Sequence, residues 1–125
     1  MFSLMSLEMD LSKTGYEMFF KPYQVLALRY LWKKPDGGKS LEVWDHVKAQ
    51  PGGSISRASI INSLNAMVDN GLLDYEEKTG KGGHHRVYRH RYSETELREH
   101  LASVFIRKLL EEFPEKTRRV VETSQ

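Results

Sequence analysis

The segment from Ser56 to Asn65 reads Ser56-Arg57-Ala58-Ser59-Ile60-Ile61-Asn62-Ser63-Leu64-Asn65. Ile60, Leu64, Met67 and Val68 recur at helical spacing, so one side of a helix would face a core. The opposite side then carries Arg57, Ala58, Ile61, Asn62 and Asn65. These residue types suit the reading of base edges. Asparagine can bond adenine twice, arginine can do so with guanine, and isoleucine or alanine can meet a thymine methyl. Ser56 and Ser59, at the helix start, can donate to phosphate. No acidic residue precedes Asp69 in this segment, so nothing in it repels a polyanion.

A second constellation lies downstream. From Lys78 to Arg91 there are five basic residues, three histidines and no acid. Lys78, Lys81 and Arg86 are expected as phosphate or minor-groove contacts, with His84 and His85 beside them. A phosphate neighbour would favour protonated histidine, which would add a pH-dependent component. No metal site is expected. His84 and His85 are adjacent and would point to opposite faces of a strand, while His84 and His90 would stand about 20 Å apart.

The remaining chemistry is narrowed by what is missing. The chain has 125 residues and no cysteine, which excludes disulfides, thiolate metal sites and a cysteine nucleophile. There is no phosphate loop and no nucleophile elbow, so no catalytic residue and no cofactor are expected. Composition is 39% hydrophobic and 29% charged, ordinary for a globular domain. No apolar run approaches the roughly 18 residues of a membrane span. The N-terminus lacks the basic start and apolar stretch of a secretory leader, so a cytoplasmic location is expected.

The elements that must position these residues follow from spacing and punctuation. A first helix is predicted from Pro22 to Lys34, with Val25, Leu28 and Trp32 on one side and Pro35-Asp36-Gly37-Gly38 ending it. A second is predicted from Ser40 as N-cap, marked by Leu41, Trp44 and Val47 and stopped by Pro51-Gly52-Gly53. The third runs from the Ser56 cap to Asn70-Gly71, with Leu72 placed to pack back. Two strands, 72–77 and 86–92, flank a glycine-rich tip at 78–83 and read as a hairpin. Ser93 and Glu96 form a capping box at the start of a last helix, and Pro114 closes it ahead of a polar, frayed tail. Leu97, Leu101, Val104, Phe105 and Leu109 are expected to form a dimer interface. Tyr16, Phe19 and Phe20 are offered the same role.

The predicted fold class is therefore α+β, mainly α. An N-terminal arm (1–21) precedes a winged helix-turn-helix domain of three helices and a hairpin wing (22–92), and a C-terminal dimerisation helix with tail follows (93–125). The order of elements, the stretch Ser56 to Asn65 with Val68-Asp69-Asn70-Gly71-Leu72-Leu73, Tyr30-Leu31-Trp32, Glu42-Val43-Trp44, the wing from Gly83 to Tyr88 and the start Ser93-Glu94-Thr95-Glu96-Leu97 resemble the penicillinase-repressor (BlaI/MecI-type) family of winged-helix regulators. The resemblance covers about residues 22–113. It implies a homodimer on a dyad-symmetric operator, with the C-terminal helices as the interface. The 33 residues after the wing are short for that family, and the cysteine motif of its copper-responsive members is absent.

The expected function is thus a sequence-specific, double-stranded-DNA-binding transcriptional regulator, a repressor, acting as a homodimer. Its partners would be double-stranded DNA and itself, with no membrane, and no small-molecule effector is assigned. The alternative is a winged-helix protein-interaction module in a larger complex, with only non-specific DNA binding. An effector pocket lined by Trp32 and Trp44 competes with plain core packing for those side chains.

Overall fold

The structure is a computed structural model and describes residues 7–81 and 83–124. The fold is α+β and mainly helical, with five α-helices and one three-stranded antiparallel sheet among the described residues. The chain divides into two compact units, Met1–Tyr92 and Ser93–Gln125. Residues 1–6 of the expected arm, Gly82 of the expected tip and Gln125 of the tail lie outside the described residues.

The first unit is built on three helices. Helix α1 spans Pro22–Trp32. Pro22 sits in the first turn, where its missing N–H costs nothing. The Lys21 N–H is taken up by Gln24 Oε1 at 2.8 Å. Val25, Ala27, Leu28 and Leu31 are its buried side. Each of the larger side chains adds about 1.5–3 kcal/mol over an exposed one. Trp32 is only half-buried, its indole N–H donating to the Tyr92 carbonyl at 3.2 Å.

A two-residue strand, β1 (Gly38–Lys39), follows where only a helix breaker is expected from sequence. Helix α2 spans Ser40–Lys48, so Ser40 lies inside the helix and Lys39 is the capping position. Its buried side is Val43 and Val47; Leu41, expected on that side, is exposed. Trp44 anchors α2 by donating its indole N–H to the Ile55 carbonyl at 2.9 Å.

Helix α3 spans Arg57–Asp69. Ser56 caps it, its hydroxyl oxygen accepting the Ser59 N–H at 3.1 Å. Ile60, Leu64 and Met67 are buried as the spacing predicts, while Val68 is half-buried. Ser63 is buried too, and its hydroxyl is paired with Tyr23 at 2.9 Å and receives the Gln24 amide at 3.3 Å. The helix stops in a Schellman arrangement. Leu72 N–H reaches the Met67 carbonyl at 2.9 Å and Gly71 N–H the Val68 carbonyl at 3.0 Å. Gly71 takes the positive φ of 76° that this turn requires.

The hairpin pairs β2 (Leu73–Gly80) with β3 (Gly83–His90). It is longer than the sequence reading, its strands reaching Gly80 and resuming at Gly83. His84 and His85 therefore belong to a strand rather than to its loop. Strand β1 pairs with the other edge of β3 through Gly38↔Tyr88 and Lys39↔Val87, so the sheet order is β1-β3-β2. The central position of β3 explains why Val87 and Tyr88 are its buried residues.

Ahead of α1, the chain is not a detached arm. Asp10 N–H bonds the Met18 carbonyl at 2.7 Å, a short 3-10 turn covers Gly15–Met18, and Phe20 is buried. Tyr16 lies 5.6 Å from the Trp32 ring. Within the first unit, Phe20 is thus buried and the half-buried Tyr16 packs on Trp32.

The second unit contains α4 (Glu94–Glu112) and α5 (Pro114–Thr123). The capping box is present: Ser93 N–H donates to Glu96 Oε1 at 2.8 Å and Glu96 N–H to Ser93 Oγ at 3.2 Å. The tail is helical, not frayed. Pro114 ends α4 and also begins α5, because its fixed φ suits a first helical turn. Exposure varies along the expected dimer stripe. Leu97 and Leu101 are only 2% and 3% exposed within a single chain, whereas Leu109 is 47% and Phe113 63% exposed. Val104 and Phe105 are half-buried. No helix among the described residues is long and apolar enough to cross a membrane.

Candidate nucleic-acid interface

The site is built around α3. Its buried side, Ile60, Leu64 and Met67, rolls the opposite side outward. Ser56, Arg57, Ala58 and Asn62 are exposed there, and Ser59, Ile61 and Asn65 are half-buried. The Ser56 hydroxyl donates to Ser59 Oγ at 3.0 Å. Of that pair, Ser59 keeps the hydroxyl hydrogen that can reach a phosphate.

Asn65 departs from its expected role. Its amide oxygen accepts from the Tyr88 hydroxyl at 2.6 Å and from Arg86 Nη1 at 3.1 Å. An asparagine must have its oxygen open to make the two-bond pair with adenine. In this arrangement that oxygen is already occupied.

Arg86 is correspondingly not a free phosphate contact. Besides Asn65, it lies over the Tyr75 ring at 4.0 Å and stands 3.9 Å from Glu77. It ties the hairpin to α3. His84 is also engaged, with Nε2 at 3.2 Å from Glu77 and Nδ1 at 3.5 Å from Thr79. The register accounts for this. Glu77 faces Arg86 and Thr79 faces His84 on one side of the hairpin, while Lys78 and His85 pair on the other. The acid-free run in the sequence is thus met across the strands by Glu76 and Glu77. Arg89 bonds Glu76 at 2.8 Å. That hydrogen bond, with the charges of Lys78 and Arg89 behind it, holds the Glu76 carboxyl below its ordinary value.

Lys78 and Lys81 make no ion pair among the described residues, and both are exposed. They are the hairpin cations that can meet phosphate at no internal cost. Tyr88 and Tyr75 carry roles that sequence reasoning missed. Their direct cross-strand pairing is a hairpin property. The junction with Asn65, more than 20 residues away in the chain, is set by tertiary packing alone.

No protein-family model, no curated protein and no solved structure matches the chain.

Proposed function

We propose that the chain is a sequence-specific, double-stranded-DNA-binding transcriptional repressor, built on a winged helix-turn-helix and acting as a homodimer on a dyad-symmetric operator. The observation that carries this reading is the exposed, acid-free N-terminal half of α3, with Arg57 and Asn62 outward, beside a hairpin whose tip region offers Lys78 and Lys81. The order of three helices and a hairpin, with β1 closing the sheet against β3, is compatible with a winged helix and supports this reading. In that layout the third helix enters the major groove and the hairpin lies along the backbone. The resemblance to penicillinase repressors supports the same reading, and the absence of cysteine suits a cytoplasmic protein.

The test is selection of bound duplexes from a random pool at moderate salt, followed by sequencing. The expected result is a dyad-symmetric site with half-sites about one helical turn apart, or a multiple of it. No enrichment, with binding that vanishes as salt rises, would instead favour a protein-interaction module.

A further inference from the structure

We propose that Asn65 is a donor-only reader of the major groove, held in that state by Tyr88 and Arg86, and that it selects guanine and rejects adenine at the base pair it faces. This rests on the DNA-binding reading above and specifies its chemistry.

The amide of Asn65 is oriented by its two partners. A guanidinium has donors only, so the Asn65 atom facing Arg86 Nη1 at 3.1 Å must be the oxygen. An amide oxygen offers two lone-pair directions, and the Tyr88 hydroxyl at 2.6 Å takes the second. The amide nitrogen has no hydrogen-bond partner among the described residues and is not buried. The group presented outward therefore carries two N–H donors and no acceptor.

Both partners are anchored. Tyr88 is buried on the central strand, and Arg86 is stacked on Tyr75 and faces Glu77. Turning the amide over would set its NH2 against the Arg86 guanidinium, donor against donor, while the Tyr88 hydroxyl, which accepts as well as donates, would not oppose it. The orientation is thus set before any DNA arrives.

Base edges respond differently to such a group. Adenine presents N7 as acceptor but N6–H2 as donor, so half of its edge opposes the Asn65 NH2. Guanine presents N7 and O6, both acceptors. Tyr88 and Arg86 act as positioning residues, because they work through Asn65 rather than by touching the base.

The experiment repeats the duplex selection with the full chain and with Asn65→Ala, Asn65→Asp and Tyr88→Phe. Asn65→Ala identifies the base pair that Asn65 reads, as the position whose preference collapses. In the wild type that position is expected to be guanine, favoured over adenine by roughly tenfold or more. Asn65→Asp keeps both accepted hydrogen bonds and the side-chain shape but turns the outward atom into an acceptor. Its preference should move to cytosine, whose N4–H2 donates. Tyr88→Phe keeps the ring but frees one lone pair, so discrimination against adenine should fall several-fold. Preferences are read within each pool, so a general loss of affinity does not confound them. Any base other than guanine at the wild-type position, or guanine retained by Asn65→Asp, overturns the proposal. So does a wild-type site whose preferences all survive Asn65→Ala, which leaves the DNA-binding reading standing. A wild type that enriches no site overturns both.

Discussion

Arg57 and Asn62 project from α3 with no hydrogen-bond or ion-pair partner among the described residues, in contrast to Asn65 and Arg86 on the same flank. A long cation kept idle on a helix with no acid before Asp69 is free to bond a ligand. Arg57→Ala and Asn62→Ala should each cost about 1–3 kcal/mol on the selected duplex while leaving random DNA nearly unaffected. Competition binding measures both, and equal losses on the two duplexes would remove their base-reading role. The Tyr88 hydroxyl supplies a pH dependence. Burial, its largest influence, raises the phenol above the usual value of 10.0, against the lowering effect of Arg86. The folded state therefore holds this proton more tightly than the unfolded chain. Its contribution is complete below the ordinary tyrosine value and is lost as pH rises through the higher folded one. Tyr30, raised by burial and by Glu42, behaves in the same sense. Thermal melts from neutral to strongly alkaline pH should show part of the alkaline loss of stability removed in Tyr88→Phe. An unchanged profile would mean that the phenol ionises without disturbing the fold.

At the scale of elements, the legible features are those whose signal is local. The Ser56 cap, the Ser93 and Glu96 box and the Gly71 stop each need only a few neighbouring residues, and each is found where the sequence places it. The two-residue strand β1 has no period to read, because it is a strand only through its pairing with β3. Pro114 reads as an end because the helix it begins lies in a polar stretch without a core stripe. The hairpin's length was hidden by its glycines and lysines, which pair through backbone groups that composition does not report. The α2–α3 turn gives a sharp test of how much this geometry matters. A Cβ added at Gly53 would overlap the Val47 carbonyl oxygen, whereas one at Gly52 would meet nothing within 4 Å. Gly53→Ala should therefore force a backbone shift costing about 1–3 kcal/mol or more, seen in chemical denaturation. Gly52→Ala meets only the strain of its positive φ of 79°, on the order of 1–2 kcal/mol. If the two variants melt alike, steric closure of this turn is not what sets the α2–α3 angle. On the hairpin, Lys81→Ala should weaken all sequences similarly and reduce the salt slope by about 1. A change in one base preference alone would contradict its backbone role.

For the whole molecule, the proposed homodimer needs an apolar surface that could join two copies. In the sequence, Leu97, Leu101 and Leu109 belong to one stripe, and only folding reveals that the first two are covered within the chain. A charge at Leu101 would enter a buried site and destabilise the protomer, so its effect on assembly would be uninformative. The exposed apolar side chains of the second unit are instead Ile106, Leu109, Phe113, Val120 and Val121. Phe113 is the most exposed of them and occupies the N-cap of α5 without a side-chain cap hydrogen bond. Aspartate is among the best residues for that position. Phe113→Asp thus removes an aromatic ring from the surface while supplying the cap that α5 lacks, so the protomer should stay as stable or gain up to about 1 kcal/mol. Association should fall, because a carboxylate would have to be buried where a ring was. Sedimentation of the wild type as a dimer and of Phe113→Asp as a folded monomer is the expected result, with operator affinity reduced by roughly a hundredfold as the second half-site is lost. A variant that still sediments as a dimer would move the interface away from the second unit. One that becomes monomeric yet binds the full operator as tightly as the wild type would show that two-fold assembly is not how this protein reaches its site.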